Sequence, residues 1–212
     1  MKEKFIDPWA SALPKDYLDL VKKFGLEKFE ASNLPSVNLL MKRGFVFAGR
    51  DLKTIFDCIK NKKPFYALTG IMPSADKVHF GTKSVIDLMV YFQKHGAETY
   101  VLVADLEAAA TRGTSLEEAR KRSLEVHIPC YIALGLDAKK TKFYFQSDND
   151  AVRNLAFELS NRASLNEYRA IYGNSEPSRI MASVLQVADI LHPQIEKKIP
   201  GIVPVGIDQD PH

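Results

Sequence analysis

The run Thr99-Tyr100-Val101-Leu102-Val103-Ala104-Asp105-Leu106 decides the fold. It is almost continuously apolar, the pattern of a strand covered on both faces, because a strand with one wet face alternates instead. Upstream, residues 81–93 carry Val85, Ile86, Leu88, Met89 and Phe92, which suits a helix packed on a sheet, and Gly96 closes it. Before that, Phe65-Tyr66-Ala67-Leu68 is a short strand ending in the turn Thr69-Gly70. Residues 50–60 read as a helix broken by Lys62-Lys63-Pro64. Downstream, Ser115-Leu116-Glu117-Glu118 has capping-box spacing and opens a helix toward Leu134, which Pro129 should kink or divide. Residues 142–146 form another strand. Helices are expected at 151–162, at 165–171 behind Ser164 and Glu167, and at 179–191, with a last strand at 202–206. Strands alternating with helices imply right-handed crossovers and an α/β fold: a Rossmann-like, doubly wound parallel sheet.

Residues 1–48 read differently, as a small N-terminal extension ahead of the α/β domain at 49–212. Asp7-Pro8-Trp9 is extended or turned, because Pro8 discourages helix at Asp7. A short helix is expected over 14–24, stopped by Gly25, and the apolar stretch 39–48 around Lys42-Arg43-Gly44 is a hairpin candidate.

Composition narrows the function. The 212 residues are 46% hydrophobic and 26% charged, ordinary values for a globular protein that buries a full core. Lys and Arg exceed Asp and Glu by 29 to 26, a net charge of +3, far from a polybasic nucleic-acid binder. Lys139-Lys140 and Lys197-Lys198 read as solvated faces. No apolar run approaches the roughly 18 residues needed to span a bilayer, and Met1-Lys2-Glu3-Lys4-Phe5 lacks a secretory apolar stretch. Cys58 and Cys130 match no zinc or redox spacing and read as reduced thiols of a cytoplasmic protein. No two of His79, His95, His127, His192 and His212 share one helix at i, i+4, which leaves metal chemistry unsupported. The G-x-S-x-G elbow of serine hydrolases is also absent.

In a doubly wound sheet, ligands sit beyond the carboxyl ends of the strands. The first such loop is Gly70-Ile71-Met72-Pro73-Ser74-Ala75-Asp76-Lys77-Val78-His79-Phe80-Gly81-Thr82, running into a helix N-terminus whose amides and dipole attract phosphate. It is neither a Walker loop nor a dinucleotide fingerprint. Read alone, His79 is an anion donor, a surface residue or a cap. Asp105 and Glu107 follow the second strand, where they can hold an ammonium group or simply satisfy a helix start. The third polar cluster is Gly206-Ile207-Asp208-Gln209-Asp210-Pro211-His212. Gln186, between Leu185 and Val187, reads as a buried amide that needs a partner, either a ligand or a neighbouring helix.

In this order the motifs resemble those of class I aminoacyl-tRNA synthetases, and among them the archaeal and eukaryotic tryptophanyl type. Pro73-Ser74 with His79-Phe80-Gly81-Thr82 stands where the family has its HIGH motif. Ala104-Asp105-Leu106-Glu107, then Gln186-Val187-Ala188-Asp189-Ile190-Leu191-His192-Pro193, and finally Gly206 to His212 follow, and Asp-Gln-Asp-Pro is specific to the tryptophanyl branch. Asp7-Pro8-Trp9, Lys42-Arg43-Gly44 and Asn61-Lys62-Lys63-Pro64-Phe65-Tyr66 extend the likeness over nearly the whole chain.

The resemblance implies activation of tryptophan by ATP with Mg²⁺ and transfer to tRNA(Trp), by a homodimer with no membrane or DNA partner. It implies catalytic roles for His79 and Thr82, and ATP contacts from Met72, Pro73, Ser74, His79, Gly81 and Thr82. It places tryptophan against Thr69, Glu107, Gln186, Asp208 and Gln209. No metal ligand and no tightly bound cofactor are implied.

Three departures stand out. Thr82 occupies the place of the motif's second His. Leu68 and Leu102 stand where eukaryotic members read the indole N–H with Tyr and Gln. Neither a KMSKS-like loop nor an anticodon-binding domain is recognisable before His212, so the expectation is a truncated portion that binds ligands weakly and turns over little. The alternatives are a tyrosine-activating relative and a non-catalytic, synthetase-like nucleotide- or tRNA-binding module.

Overall fold

The computed structural model describes residues 21–22, 25–172, 176–206 and 209. The readings made for Asp7-Pro8-Trp9 and for most of residues 14–24 lie outside them. Four parallel strands form the main sheet: β3 (Tyr66–Ile71), β4 (Glu98–Val103), β5 (Thr141–Phe145) and β6 (Gly201–Ile202), in the order β5-β4-β3-β6. Tyr66 pairs with Glu98, Ile71 with Val103 and Val103 with Phe145, so these three strands end level at one edge. A second, two-stranded sheet pairs β1 (Glu27–Lys28) antiparallel with β2 (Ala48–Gly49).

The side chains of β3 and β4 divide between two layers, as the unbroken apolar run requires. On one face Phe65, Ala67, Ile71, Val101 and Val103 join Leu52, Ile55, Phe56 and Ile59 of α2 (Leu52–Asn61) and Ile86, Met89 and Phe92 of α3 (Phe80–Lys94). The α2 residues recur at helical spacing and so form one stripe. Burying each large side chain of this layer stabilises the fold by about 1.5–3 kcal/mol. On the other face Tyr66, Leu68, Tyr100, Leu102 and Ala104 pack with Ile190, Ile199 and Val203. The chain steps from β3 to β4 and β5 with its helices on the first face, then returns across β3 to β6 by way of the second. A crossover of fixed hand that reverses direction must change faces, and the expected doubly wound sheet is the result.

Four local readings need correction. Thr69-Gly70 is not a turn: both residues lie within β3 and pair with Val101 and Leu102, because the neighbouring strand continues the ladder past Leu68. Residues 39–48 are not a hairpin. Asn38 accepts from the Met41 amide at 3.0 Å and starts a short helix, α1 (Leu39–Lys42), because a side-chain cap satisfies an amide that a strand would leave unpaired. The run 99–106 is not strand throughout either, since a helix, α4 (Asp105–Arg112), begins directly after β4. The strand read at 202–206 is confined to β6.

The divided helix at Pro129 is realised as α5 (Leu116–Arg122), a widened π-type turn at Ser123–His127, and α6 (Ile128–Ala133). Proline lacks an N–H and its ring crowds the carbonyl four residues back, which the wider turn moves aside. The remaining helices are α7 (Asp150–Leu159), α8 (Leu165–Tyr172), α9 (Pro177–Leu191) and α10 (Pro193–Glu196). Ser164 and Glu167 form the reciprocal cap read ahead of α8, the Ser164 amide donating to the carboxylate at 2.6 Å. Cys58 is buried and Cys130 half-buried, both as free thiols. Among the described residues no helix is long and apolar enough to cross a membrane.

Candidate functional site

Because the four strands are parallel, the segments after β3, β4 and β5 leave the sheet at one edge, and the segment after β6, whose pairing ends beside Ala67, starts short of that edge and heads toward it. The chain reverses its direction of travel at β3, so the crevice between the carboxyl ends of β3 and β6 is the topological switch point where ligands of such sheets bind. The loop Met72–His79 departs on one side of it and Val203–Gly206 on the other.

His79 is the N-cap of α3: its Nδ1 accepts from the amides of Gly81 at 3.1 Å and Thr82 at 3.4 Å. Of the readings open for this residue two hold together: it lies exposed at the surface, and it is the cap. It has a chemical consequence, because a neutral ring that accepts at Nδ1 carries its proton on Nε2 and keeps one N–H to donate. Gly81 is needed for this geometry, since a Cβ there would lie 2.9 Å from His79 Cε1. The amides expected to attract phosphate are thus taken at Gly81 and Thr82 by the imidazole, which stands in front of the helix dipole. Pro73 is buried, Met72 and Thr82 are half-buried, and Ser74 is exposed with its amide bonded to the Met72 carbonyl at 2.8 Å.

At the end of β4, Asp105 is 1% exposed and its carboxylate is occupied within the protein. It accepts from the amides of Leu106 at 3.0 Å and Ser147 at 3.1 Å and from the Ser147 hydroxyl. Glu107 is also buried, and its amide donates to Gln146 Oε1 at 3.3 Å. Gln146 in turn donates to Asp189 Oδ2 at 2.6 Å, and Tyr144 donates to Asp189 Oδ1 at 3.0 Å. Burial pushes Asp189 up to about 7; the donors Gln146 and Tyr144 pull it back and the charge of Asp105 adds to the rise. Tyr144 is raised by the same burial and by its carboxylate neighbour.

This network fastens α4, which carries Glu107, to α9, which carries Gln186. Gln186 Oε1 is buried and without a hydrogen-bond partner among the described residues. An unpaired buried acceptor is costly, and a ligand N–H would satisfy it. Thr69 is buried but alternates with Ala67 and Ile71, on the sheet face opposite Leu68, Leu102 and α9. Gln209 is half-buried with its amide bonded to the Gly206 carbonyl at 3.0 Å, and Asp208 lies outside the described residues. Among those residues no group of three or more His, Cys, Asp or Glu is placed to hold a metal ion.

Sequence reasoning missed Gln146 and Ser147 altogether and gave Asp189 no role of its own. Their signals were a polar pair at the mouth of the KFYFQ strand and a charge set among apolar residues of a helix.

Residues 60–212 match the family model described as tRNA synthetases class I (W and Y). Tryptophan–tRNA ligase 1 of Halobacterium salinarum is 40% identical over 212 residues, covering 98% of this chain and 41% of the relative. The tryptophan–tRNA ligase of Methanocaldococcus jannaschii is 39% identical, covering all of this chain and 60% of the relative. Among solved structures, the tryptophanyl-tRNA synthetase of Aeropyrum pernix superposes with a TM-score of 0.84 at 40% identity, over 97% of this chain and 59% of that one. The chain therefore spans about half the length of the curated relatives it matches. The tryptophan-bound synthetase of Encephalitozoon cuniculi superposes with a TM-score of 0.81 at 26% identity, over 92% of this chain and 62% of that one.

Proposed function

The chain belongs to the class I tRNA synthetases (W and Y), and on that footing we propose that it activates tryptophan with ATP for transfer to tRNA(Trp). The carboxylate oxygen of tryptophan attacks the α-phosphorus, the bond to the bridging oxygen breaks, and pyrophosphate leaves as tryptophanyl-adenylate forms. Little covalent work falls to the protein, which aligns two reactants and stabilises charge gathering on the phosphates. His79 Nε2–H is the donor to those phosphates. Thr82 contributes a hydroxyl, and Gly81, Pro73, Met72 and Ser74 shape the nucleotide side. Glu107, Gln186 and Gln209 receive the amino acid, with Asp208 completing that pocket, whereas Thr69, on the other face of the sheet, supports it only from behind. Mg²⁺ enters with ATP as part of the substrate. A homodimer in the cytoplasm, with tRNA(Trp) as macromolecular partner, belongs to the same reading.

The observation that carries this reading is the unpaired Gln186 Oε1, buried on the helix that the Gln146–Asp189 bond ties to Glu107. Exchange of labelled pyrophosphate into ATP tests it: exchange that depends on tryptophan and not on tyrosine supports it. Tyrosine dependence would turn the assignment to the sister branch. A chain that binds ATP yet exchanges nothing with either amino acid would be the non-catalytic module.

A further inference from the structure

The loop ahead of His79 is held from the side by two residues that no part of the proposed chemistry uses. Ser74, Ala75, Asp76 and Lys77 are all exposed, so this stretch gains little from the core. Arg122, at the end of α5, reaches across to it: Nη1 donates to the Pro73 carbonyl at 3.5 Å and Nε pairs with Asp76 at 2.6 Å. The third arm of the guanidinium pairs with Glu118 at 2.6 Å, which anchors it to its own helix. The Arg122 side chain is only 22% exposed, unlike its carboxylate partners at 71% and 50%. His127, 6% exposed, donates from Nε2 to the Ala75 carbonyl at 2.9 Å. The two residues flank and end the widened turn Ser123–His127, which is seated by the Ser123 hydroxyl donating to the Ala119 carbonyl at 2.8 Å. In a regular helix the five-residue separation would set Arg122 and His127 about 140° apart; the wider turn brings them nearer to one side.

We propose that Arg122 and His127 are positioning residues that pin the carbonyls of Pro73 and Ala75 and thereby set the shape of the loop that presents His79 to a nucleotide. This rests on the reading of that loop as the ATP side of the site. The clamp shares no member with the Asp105–Ser147 and Gln146–Asp189 contacts that hold the amino-acid side, so it acts on one substrate and not the other. Placement matters because a displacement of about 1 Å can lower a rate by about 10².

The test uses the full chain and titrates Mg·ATP and tryptophan separately by calorimetry into the wild type and into Arg122→Ala, Arg122→Lys and His127→Ala. Arg122→Ala is expected to weaken ATP binding about tenfold with tryptophan binding unchanged, and Arg122→Lys to recover part of the loss. Tryptic cleavage after Lys77, followed by mass spectrometry, is expected to accelerate several-fold in Arg122→Ala and His127→Ala. Equal losses of both ligands would mark a merely structural role and overturn the proposal, as would wild-type ATP affinity in Arg122→Ala. A wild-type chain that binds no ATP removes the parent reading. In that event cleavage after Lys77 still decides the clamp, and an unchanged rate in both alanine variants overturns it.

Discussion

The side-chain amide of Gln146 donates to the carboxylate of Asp189 at 2.6 Å, and neither residue has measurable exposure. That bond joins the mouth of β5 to the last turn of α9 and, through Gln146 Oε1, to the amide of Glu107.

It also makes stability depend on pH. Asp189 is pushed up to about 7 by burial, whereas an unfolded aspartate titrates near 4, at about 3.9. Between those values the folded chain holds a proton that the unfolded chain has released, so raising the pH through that window removes stability. Asp189→Asn keeps an acceptor for Gln146 and offers a donor to the Tyr144 oxygen. The melting temperature of the wild type is expected to fall from pH 5 to pH 8 relative to that variant, and parallel curves would refute the assignment.

Gly201→Ala should detach the edge strand β6. A Cβ there would lie 2.0 Å from Tyr66 Cζ, and that ring has nowhere to go. It is 2% exposed, its hydroxyl donates to the Ile190 carbonyl at 2.8 Å, and it packs edge-on against Tyr100. Overpacking of this kind costs about 1–3 kcal/mol, readable as a lower urea midpoint. Because β6 leads into Val203–Gln209, tryptophan affinity should drop with it.

Gly81→Ala separates capping from folding. The added methyl pushes the exposed His79 ring off its amides, and a lost cap costs about 1 kcal/mol. Tryptophan-dependent pyrophosphate exchange should fall by about 10², the effect of losing one oriented donor. An unchanged exchange rate would show that the capped ring is not the donor.

Thr82→His restores a second imidazole to the motif. Pyrophosphate exchange should rise, by up to about 10²-fold if a full donor is regained. No rise would mean that the threonine hydroxyl already serves.

Lys62 ends α2 with φ of +52° in the left-handed region, its amide and that of Lys63 closing on the Ile59 and Cys58 carbonyls. Lys62→Gly relieves that strain and should stabilise the chain by about 1 kcal/mol. The check is a higher urea midpoint at unchanged slope.

The alternation of apolar runs with helical stripes was enough to read β3, β4 and β5, the helix α3 and the divided helix of α5 and α6, since burial on two faces and on one stripe leaves a periodic trace in sequence; α4 was missed, its first turn read as the end of a strand. The hairpin read at 39–48 failed because an apolar decapeptide has no period of its own, and the Asn38 cap outweighed its strand-like composition. Of the candidate site, His79 and Glu107 could be named because they sit in motifs just beyond strand ends, and Gln186 because it is an amide set between apolar residues of a helix. That Asp105 spends its carboxylate on Ser147 could not, since the two are 42 residues apart and nothing local couples them.

What the sequence determined by itself is therefore the layered parallel sheet and the edge at which its loops gather, because hydrophobic periodicity is a local property of each segment. Which polar groups answer one another was decided only by the tertiary structure. His79 turns onto its own helix, Arg122 reaches the loop before it, and Gln146 closes on Asp189. Each of these hydrogen bonds depends on distance and direction, and the packing of segments far apart in the chain supplies the surroundings that fix both.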